Sequence, residues 1–170
     1  MLIRAFQADD LPTLKAITVA AFDGVSIDQG AEQLFGEING HDWRWRKARH
    51  LDEDAARDPN GIFVAEADGR ILGYVSTWMD RESGIGHIPN IAIAAEDRGR
   101  GIGRTLIEHA LTHFRQAGLN HAKIETLVQN AVGQHLYSSL RFREVARQVH
   151  FVCSLEDATP GGIHVQDEVA

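Results

Sequence analysis

The feature that most constrains this chain is a glycine-rich turn between an apolar run, residues 91–95, and an amphipathic helix pattern. Gly99, Gly101 and Gly103 alternate through the turn, and glycine lets a backbone turn sharply or approach a ligand closely because it has no Cβ. The helix pattern that follows directs its free N–H groups and the positive end of its dipole at the turn. Three arginines add positive charge: Arg98, Arg100 and Arg104. The sequence therefore predicts a loop that binds an anion, with phosphate as the first choice.

The spacing of the glycines separates this loop from the two commonest phosphate-binding motifs. A dinucleotide fingerprint that starts at Gly99 needs a third glycine at position 104, and a Walker loop needs glycine at 98 and lysine at 104. Both of those positions hold arginine. The pattern that does fit, Arg98-x-x-Gly101-x-Gly103, resembles the acyl-coenzyme A signature of the GNAT acetyltransferases. The alternative is a glycine-rich turn that binds nothing.

Composition places the chain among globular proteins of one domain. Its 170 residues are 44% apolar and 24% charged, and no apolar run approaches the length of a membrane span, roughly 20 residues. The start of the chain lacks a signal-peptide pattern, so we expect a cytoplasmic protein. A formal net charge of −7 argues against nucleic-acid partners. The one cysteine, Cys153, lies in a strand-like run, which predicts a core thiol rather than a nucleophile.

Apolar periodicity and turn residues predict alternating helices and strands. Helices are expected at 9–22, 31–38, 42–57, 101–116 and 131–140. Strands are expected at 2–6, 62–66, 71–78, 87–94 and 122–128, with one or two more within 142–155. This alternation requires an α/β (α+β) domain whose mixed sheet is covered by helices on both faces. We expect the domain to span residues 1–155 and residues 156–170 to form a flexible tail.

The element order is also that of the GNAT fold, and a second segment, residues 130–142, strengthens the resemblance. It resembles the family pattern N-x-x-A-x-x-L-Y-x-x-x-G-F. Four positions agree: Asn130, Leu136, Tyr137 and Phe142. Gly133 stands where alanine is commoner, and Arg141 replaces the usual glycine, which leaves the turn there open because arginine tolerates a positive φ poorly. The resemblance implies a GNAT fold with six to seven strands.

The resemblance implies which residues do the chemistry. Tyr137 matches the family's general acid, which protonates the sulfur of coenzyme A, and its alternative is a tyrosine that only packs. Glu125 matches the general base of ribosomal-protein N-terminal acetyltransferases through an Ile-Glu-x-x-x-x-Asn spacing. A carboxylate in a buried strand is costly to leave unpaired, which favours a special role, and an ion pair with a neighbouring arginine is the alternative. Other candidates for the base are Asp80, Glu82, His87 or a chain of water molecules.

The resemblance also assigns residues to the cofactor, acetyl-coenzyme A (acetyl-CoA). The strand residues Ile91, Ala92 and Ile93 would give backbone contacts to the pantetheine arm and the acetyl carbonyl. Asn130 would contact the pantetheine or the far end of the cofactor. The loop would hold the pyrophosphate through eight residues: Arg98, Gly99, Arg100, Gly101, Ile102, Gly103, Arg104 and Thr105.

We therefore predict an N-acetyltransferase that moves the acetyl group of acetyl-CoA to a primary amine by direct attack in a ternary complex. The acceptor would be a small-molecule amine or a peptide N-terminus. Residues 26–60 would select it as a flap, where Glu32, Glu37 and Asp42 suit a cationic amine, or would only cover the sheet. The alternative function is a non-catalytic module that binds or senses acyl-CoA. We expect no metal, nucleic acid or membrane among the partners, and leave a homodimer open.

Overall fold

The computed structural model of the protein describes residues 1–155, and the predicted tail, residues 156–170, lies outside the described residues. Its helices are α1 (Leu11–Ala21), α2 (Ile27–Phe35), α3 (Trp43–Arg57), α4 (Ile102–Gln116) and α5 (Ala131–Ser139). Its strands are β1 (Leu2–Ala5), β2 (Ile62–Ala67), β3 (Arg70–Asp80), β4 (Ile85–Ile93) and β5 (His121–Ile124). The predicted α/β class is confirmed.

The five strands of the described chain form one mixed sheet in the order β1-β2-β3-β4-β5. Each of the first three pairs is antiparallel, whereas β4 and β5 run parallel. The hairpin between β2 and β3 turns at Asp68 and Gly69, whose φ values of 53° and 73° are those of a type I′ turn. The Asp-Gly signal in the sequence predicts this hairpin, and the register confirms it.

Helices cover both faces of the sheet, as predicted, and each face has its own core. On one face α4 packs Leu106, Ile107 and Phe114 against β2, β3 and β4. On the other face α1 and α3 pack against the sheet through residues that include Leu14 and Leu51, both fully buried. We call these the α4 face and the α1–α3 face.

The predicted number of strands, six to seven, is wrong for the described chain, which has five. Residues 143–155 form no strand, and Val145 and Phe151 are 95% and 89% exposed. Apolar residues alternate along this segment, which favours extended backbone, but a strand also needs a neighbour, and the edge strand β5 has only four residues. Cys153 is exposed for the same reason, so the prediction of a core thiol is also wrong.

A β-bulge in β4 turns its side chains from one face of the sheet to the other. Two register pairs define the bulge: Ser76 with Asn90 and Trp78 with His87. Between these pairs β4 has one more residue than β3. Ile88 therefore lies in the core of the α4 face, whereas Ala92 lies in the core of the α1–α3 face. In a regular strand, residues four apart would point to the same face.

Candidate functional site

The end of β4 forms an open edge beside the helix-forming loop. The last pair that β4 makes with β5 is Ile88 with Ile124, and β4 continues beyond it to Ile93. Main-chain groups alternate between the two sides of a strand, and those of Ala92 point to β3. Those of Ile91 and Ile93 lie on the open side, where the Ile93 carbonyl accepts from Arg98 at 3.4 Å. An extended ligand can add to such an edge through main-chain hydrogen bonds. The structure thus places Ile91 and Ile93 at one open edge, with Ala92 between them.

The loop after β4 holds two glycines in the left-handed conformation. Gly99 has a φ of 76° and Gly101 a φ of 82°, and Gly101 caps α4. Thr105 donates its N–H to the Gly101 carbonyl at 3.1 Å, so the N–H groups before it, at residues 102–104, belong to the first turn and lack intrahelical partners. A Cβ built at Gly99 or Gly101 would meet nothing within 4 Å. Glycine is thus required by the backbone, and the space in front of the loop is open.

The arginines of the loop make internal contacts that fix its shape. Asp97 is 1% exposed and binds the guanidinium groups of Arg70 and Arg100, each at 2.5 Å. The hydrogen bonds and charge of Arg70, with the charge of Arg100, lower the pKa of Asp97 below its usual range. Arg98 donates to the Ala20 carbonyl at 3.2 Å. The predicted positive charge is present, but one of the three arginines, Arg100, is paired with a buried carboxylate that no motif indicated.

The first turn of α4 also lies against α5. Arg104 donates to the Ser139 hydroxyl at 2.7 Å, and a Cβ at Gly103 would lie 3.4 Å from the Leu136 side chain. Gly103 therefore serves close packing between the two helices rather than a positive φ. The loop and the Tyr137 segment are held together by these contacts.

Tyr137 lies in α5 with a half-buried ring and a hydroxyl that is free within the described chain. Its ring packs on the core of the α4 face and lies 6.3 Å from the Phe142 ring. Burial raises the pKa of Tyr137 to about 12. No residue among 1–155 forms a hydrogen bond with its hydroxyl. Tyr137 is therefore protonated at neutral pH and has an O–H to donate.

Asn130 caps α5, as predicted, and its side chain lies close to Gly133. Its Oδ1 accepts the Gly133 N–H at 3.0 Å, and its Nδ2 donates to the Thr126 hydroxyl at 2.8 Å. A Cβ at Gly133 would lie 2.6 Å from that Nδ2. An alanine at position 133 would therefore require the Asn130 amide to shift. The predicted contact with the cofactor would use the remaining hydrogen of the amide.

The turn after α5 forms although arginine replaces glycine in it. Arg141 has a φ of 69°, in the left-handed region. The Phe142 N–H donates to the Tyr137 carbonyl and the Arg141 N–H to the Ser138 carbonyl, both at 3.1 Å. These two bonds define a Schellman motif, which usually carries glycine at this position. The turn that the sequence left open is therefore present, with arginine in a strained conformation.

Glu125 lies just beyond the end of β5, which stops at Ile124. Its side chain is 71% exposed and pairs with Lys123 at 2.5 Å. The expectation of a carboxylate in a buried strand is wrong, because β5 is shorter than predicted and its residues alternate between exposed and half-buried. An ion pair is present, as in the alternative interpretation, but with a lysine rather than an arginine.

A cavity of about 320 Å³ lies where β4 and β5 part, and Glu125 and His87 both line it. His87 stacks on Trp78, with ring centroids 3.9 Å apart and an angle of 8° between the rings. Burial, followed by the charge of Lys123, lowers the pKa of His87. His87 is therefore largely neutral at pH 7, and two of the four candidate bases face one cavity.

The other two candidate bases belong to the turn between β3 and β4. The Oδ1 of Asp80 accepts the N–H groups of Glu82 and Ser83, each at 3.1 Å. Hydrogen bonds from the side chain and the backbone of Ser83 lower the pKa of Asp80, and the side-chain bond has the larger effect. Asp80 therefore stabilises the turn as an anion, and Glu82 is an exposed residue of the same turn.

Comparison with known proteins identifies the family to which the chain belongs. Residues 28–142 match the family model described as the acetyltransferase (GNAT) family. The chain belongs to the GNAT family. A mycothiol acetyltransferase of Tsukamurella paurometabola is 33% identical over 162 residues, which cover 88% of this chain and 50% of that relative. The chain thus spans about half the length of this curated relative.

Solved GNAT structures share the fold. The ribosomal-protein-S18-alanine N-acetyltransferase of Escherichia coli superposes with a TM-score of 0.63 at 20% identity, covering 85% of this chain and 79% of that one. The PaiA N-acetyltransferase of Thermoplasma acidophilum, solved in complex with coenzyme A, superposes with a TM-score of 0.65 at 19% identity. That match covers 82% of this chain and 87% of the other. At these identities the likeness shows the GNAT fold alone.

Two cavity residues, Arg57 and Trp78, belong to no GNAT motif that the sequence displays. Trp78 faces His87 because the bulge in β4 sets the register between β3 and β4. Pro89, next to the bulge, is the one signal for it in the sequence, since proline within a sheet is confined to edges, strand starts and bulges. Arg57 joins them from the end of α3, with its guanidinium 5.2 Å from the Trp78 ring centroid.

The part of the chain that the structure describes, residues 1–155, has no group of three or more His, Cys, Asp or Glu side chains that could hold a metal ion. None of its helices is both long and apolar enough to cross a membrane.

Proposed function

We propose that this GNAT chain is an acetyl-CoA-dependent N-acetyltransferase with a primary amine as its acceptor. The observation that carries the proposal is the position of the glycine loop at the end of the open β4 edge. Gly99 and Gly101 leave free space in front of the first turn of α4, and a pyrophosphate fits a helix N-terminus of this kind. Contacts between α4 and α5 also hold the loop next to the helix that carries Tyr137.

Separate parts of the site would bind the cofactor and donate the proton. Acetyl-CoA supplies an activated thioester when it is bound. The loop N–H groups, residues 99–104, would hold its pyrophosphate, and the edge of β4 would hold its pantetheine arm through main-chain hydrogen bonds. The Tyr137 hydroxyl, protonated because burial raises its pKa to about 12, would donate its proton to the leaving sulfur.

The amine must lose a proton before it attacks, because an ammonium group has no lone pair. Reference pKa values are about 8 for an α-amine and about 10.4 for lysine, so a base is needed at neutral pH. Glu125 and His87 line one cavity and are the proposed acceptors of that proton. His87 is largely uncharged at neutral pH and so can accept a proton, whereas the Glu125 carboxylate is paired with Lys123.

The names of the relatives point to different acceptors. The curated relative is a mycothiol acetyltransferase, and the solved structures include a ribosomal-protein-alanine N-acetyltransferase of Brucella melitensis at 26% identity. Both names describe acetyl transfer. Because one fold serves many acceptors, these names support the reaction class and not the acceptor.

A thermal-unfolding experiment tests the cofactor site. Acetyl-CoA at 100 times its Kd should stabilise the protein by about 2.7 kcal/mol, which corresponds to a rise in Tm of roughly 5–10 °C. Gly101→Glu should abolish the rise, because it places a strained, negatively charged side chain in the phosphate loop. Gly24→Glu is the matched control, since Gly24 has a φ of 80° and open space around it but lies after α1. An unchanged rise in Gly101→Glu would remove the loop from the site.

A further inference from the structure

The cavity between β4 and β5 carries an unbalanced positive charge. It is lined by two cations, Arg57 and Lys123, and by one carboxylate, that of Glu125. Lys123 and Glu125 neutralise each other at 2.5 Å. Within residues 1–155, Arg57 has no carboxylate within 4.0 Å, and its exposed guanidinium lies over the Trp78 ring. The guanidinium at the cavity wall is therefore ready to bind an oxyanion.

Arg57 is exposed, and two features of its surroundings favour its position. It lies in the last turn of α3, where a cation is favoured by the helix dipole. The dipole does not account for the aromatic pair beneath it: Arg57 lies over Trp78, and Trp78 stacks on His87. A guanidinium fixed on an aromatic face loses less freedom when it binds a planar oxyanion.

The carboxylates expected to attract a cationic amine are engaged elsewhere. Glu32 accepts the Trp43 N–H and lies 3.5 Å from Arg46. Asp42 caps α3 by accepting the Trp45 N–H at 2.8 Å. Neither residue lines the cavity. Glu32 and Asp42 therefore stabilise α3, and neither they nor the exposed Glu37 provide a cation site at this cavity.

We propose that the acceptor is an amine that also carries an oxyanion, and that Arg57 binds this group. The inference rests on the proposed acetyltransferase function. Two strand spacings, about 10 Å, separate Trp78 on β3 from β5 and its neighbour Glu125. An oxyanion held at Arg57 therefore leaves room for several bonds before the amine reaches Glu125, whereas His87 stacks on Trp78 close to Arg57. Carboxylate and phosphate both match the guanidinium fork.

Steady-state kinetics with matched amines test this class of acceptor. The carboxylate arm compares β-alanine, γ-aminobutyrate and ε-aminocaproate with their primary amides, and the phosphate arm compares phosphoethanolamine with ethanolamine. Each reaction follows release of the coenzyme A thiol, in a Cys153→Ser background because Cys153 is itself exposed. We expect kcat/KM to be about 10-fold higher for the oxyanion member of at least one arm, the gain from a hydrogen bond to a charged group. The arm that shows it identifies the oxyanion.

Two variants of α3 locate the effect. Arg57→Gln should lower kcat/KM for the favoured oxyanion about 10-fold, through KM, and leave its neutral partner unchanged. Arg49→Gln is the matched control, because Arg49 is an exposed arginine of the same helix that lies 5.0 Å from the Trp45 ring. It should change neither substrate.

Three outcomes overturn the inference. Turnover of oxyanion and neutral amines at equal kcat/KM overturns it and leaves the acetyltransferase intact. An equal loss for both members of a pair in Arg57→Gln does the same. No turnover of any amine, with acetyl-CoA bound, overturns the proposed function and this inference with it.

Discussion

Tyr137 shows how one residue can be both a packing residue and a proton donor. Its ring belongs to the core of the α4 face, which fixes its position, and the same burial raises its pKa to about 12. The motif in the sequence predicted this residue, but the free hydroxyl could only be seen in the structure.

Tyr137→Phe should lower kcat by about 10²–10⁴-fold, the usual contribution of a general acid, and leave the Kd of acetyl-CoA unchanged. The chain's other tyrosine, Tyr74, provides the control. Its hydroxyl lies 2.6 Å from that of Thr18 in the core, so Tyr74→Phe should cost about 1 kcal/mol of stability and leave kcat unchanged. Equal kcat values for wild type and Tyr137→Phe would remove Tyr137 from the mechanism.

Arg141 is a residue whose conformation conflicts with its side chain. Arg141→Gly should stabilise the protein by about 1 kcal/mol, because glycine adopts a φ of 69° without strain but loses more chain entropy on folding. Arg143→Gly, two residues further on at an exposed position, should give no such gain. Urea unfolding checks both, with the midpoint shifted and the m-value unchanged. A destabilised Arg141→Gly would show that the arginine contributes a contact worth more than the strain.

At the scale of elements, a buried polar network joins α3 to the bulged strand β4. Lys47 donates to Asn90 at 2.8 Å, and Asn90 donates to Asp54 at 2.7 Å, which also accepts the Ser76 hydroxyl at 2.6 Å. Lys47 is 7% exposed, and its burial lowers its pKa to about 8. The network holds α3 over Asn90, one residue before the proposed cofactor edge.

This network predicts a specific pH dependence of stability. The folded pKa of Lys47, about 8, lies below the usual lysine pKa of 10.5, so between these values the unfolded chain binds more protons. The free energy of unfolding should therefore rise with pH, by about 2 kcal/mol between pH 8 and pH 10 at a limit of about 1.36 kcal/mol per pH unit. The destabilisation caused by the buried ammonium group is absent above the unfolded pKa, where Lys47 is neutral in both states. It is complete below the folded pKa, where Lys47 is charged in both states.

Lys47→Met should remove this rise. Urea unfolding at several pH values between 8 and 10 checks this. The free energy of unfolding of the wild type minus that of the variant should increase with pH. Lys15→Met removes the same charge from an exposed ion pair with Asp52, without opening a buried site, and serves as the control. Parallel curves for wild type and Lys47→Met would contradict the buried position of the ammonium group.

The elements that the sequence predicted well are those bounded by strong turn residues. The type I′ hairpin at Asp68 and Gly69 and helix α4, which ends before Gly118, both follow their signals. The sequence predicts a helix from residue 9, but a 3₁₀ turn, Ala8–Asp10, precedes α1, and Asp10 binds Arg4 at 2.7 Å. Such long-range partners have no local pattern, and the same is true of the contact between Arg70 and Asp97.

At the scale of the whole molecule, the sheet is the part that sequence patterns described least well. Alternation in 142–155 predicts one or two strands, yet pairing depends on a neighbouring edge, and β5 is too short to bury Glu125. The cavity residues Arg57, Trp78 and His87 come from three elements and meet only after the bulge fixes the register. The site roles, a homodimer and the absence of nucleic-acid partners stay predictions.

The reactivity of Cys153 tests whether residues 143–155 are exposed. Because the thiol is exposed, a colorimetric disulfide reagent should modify it in the native protein as fast as in urea-unfolded protein. Native modification slower by a factor of about 100 would show that residues 143–155 pack against the sheet and protect the thiol.

The central claim, that this GNAT chain catalyses transfer rather than only binding acyl-CoA, is tested most directly by mass spectrometry of the products. The protein, acetyl-CoA and the panel of amines are incubated, and acetylated amine and free coenzyme A are quantified together. The account predicts equal amounts of the two products, dependent on the amine and strongly reduced in Tyr137→Phe. Stable binding of acetyl-CoA with no acetylated product from any amine would contradict it and would identify a binding or sensing module.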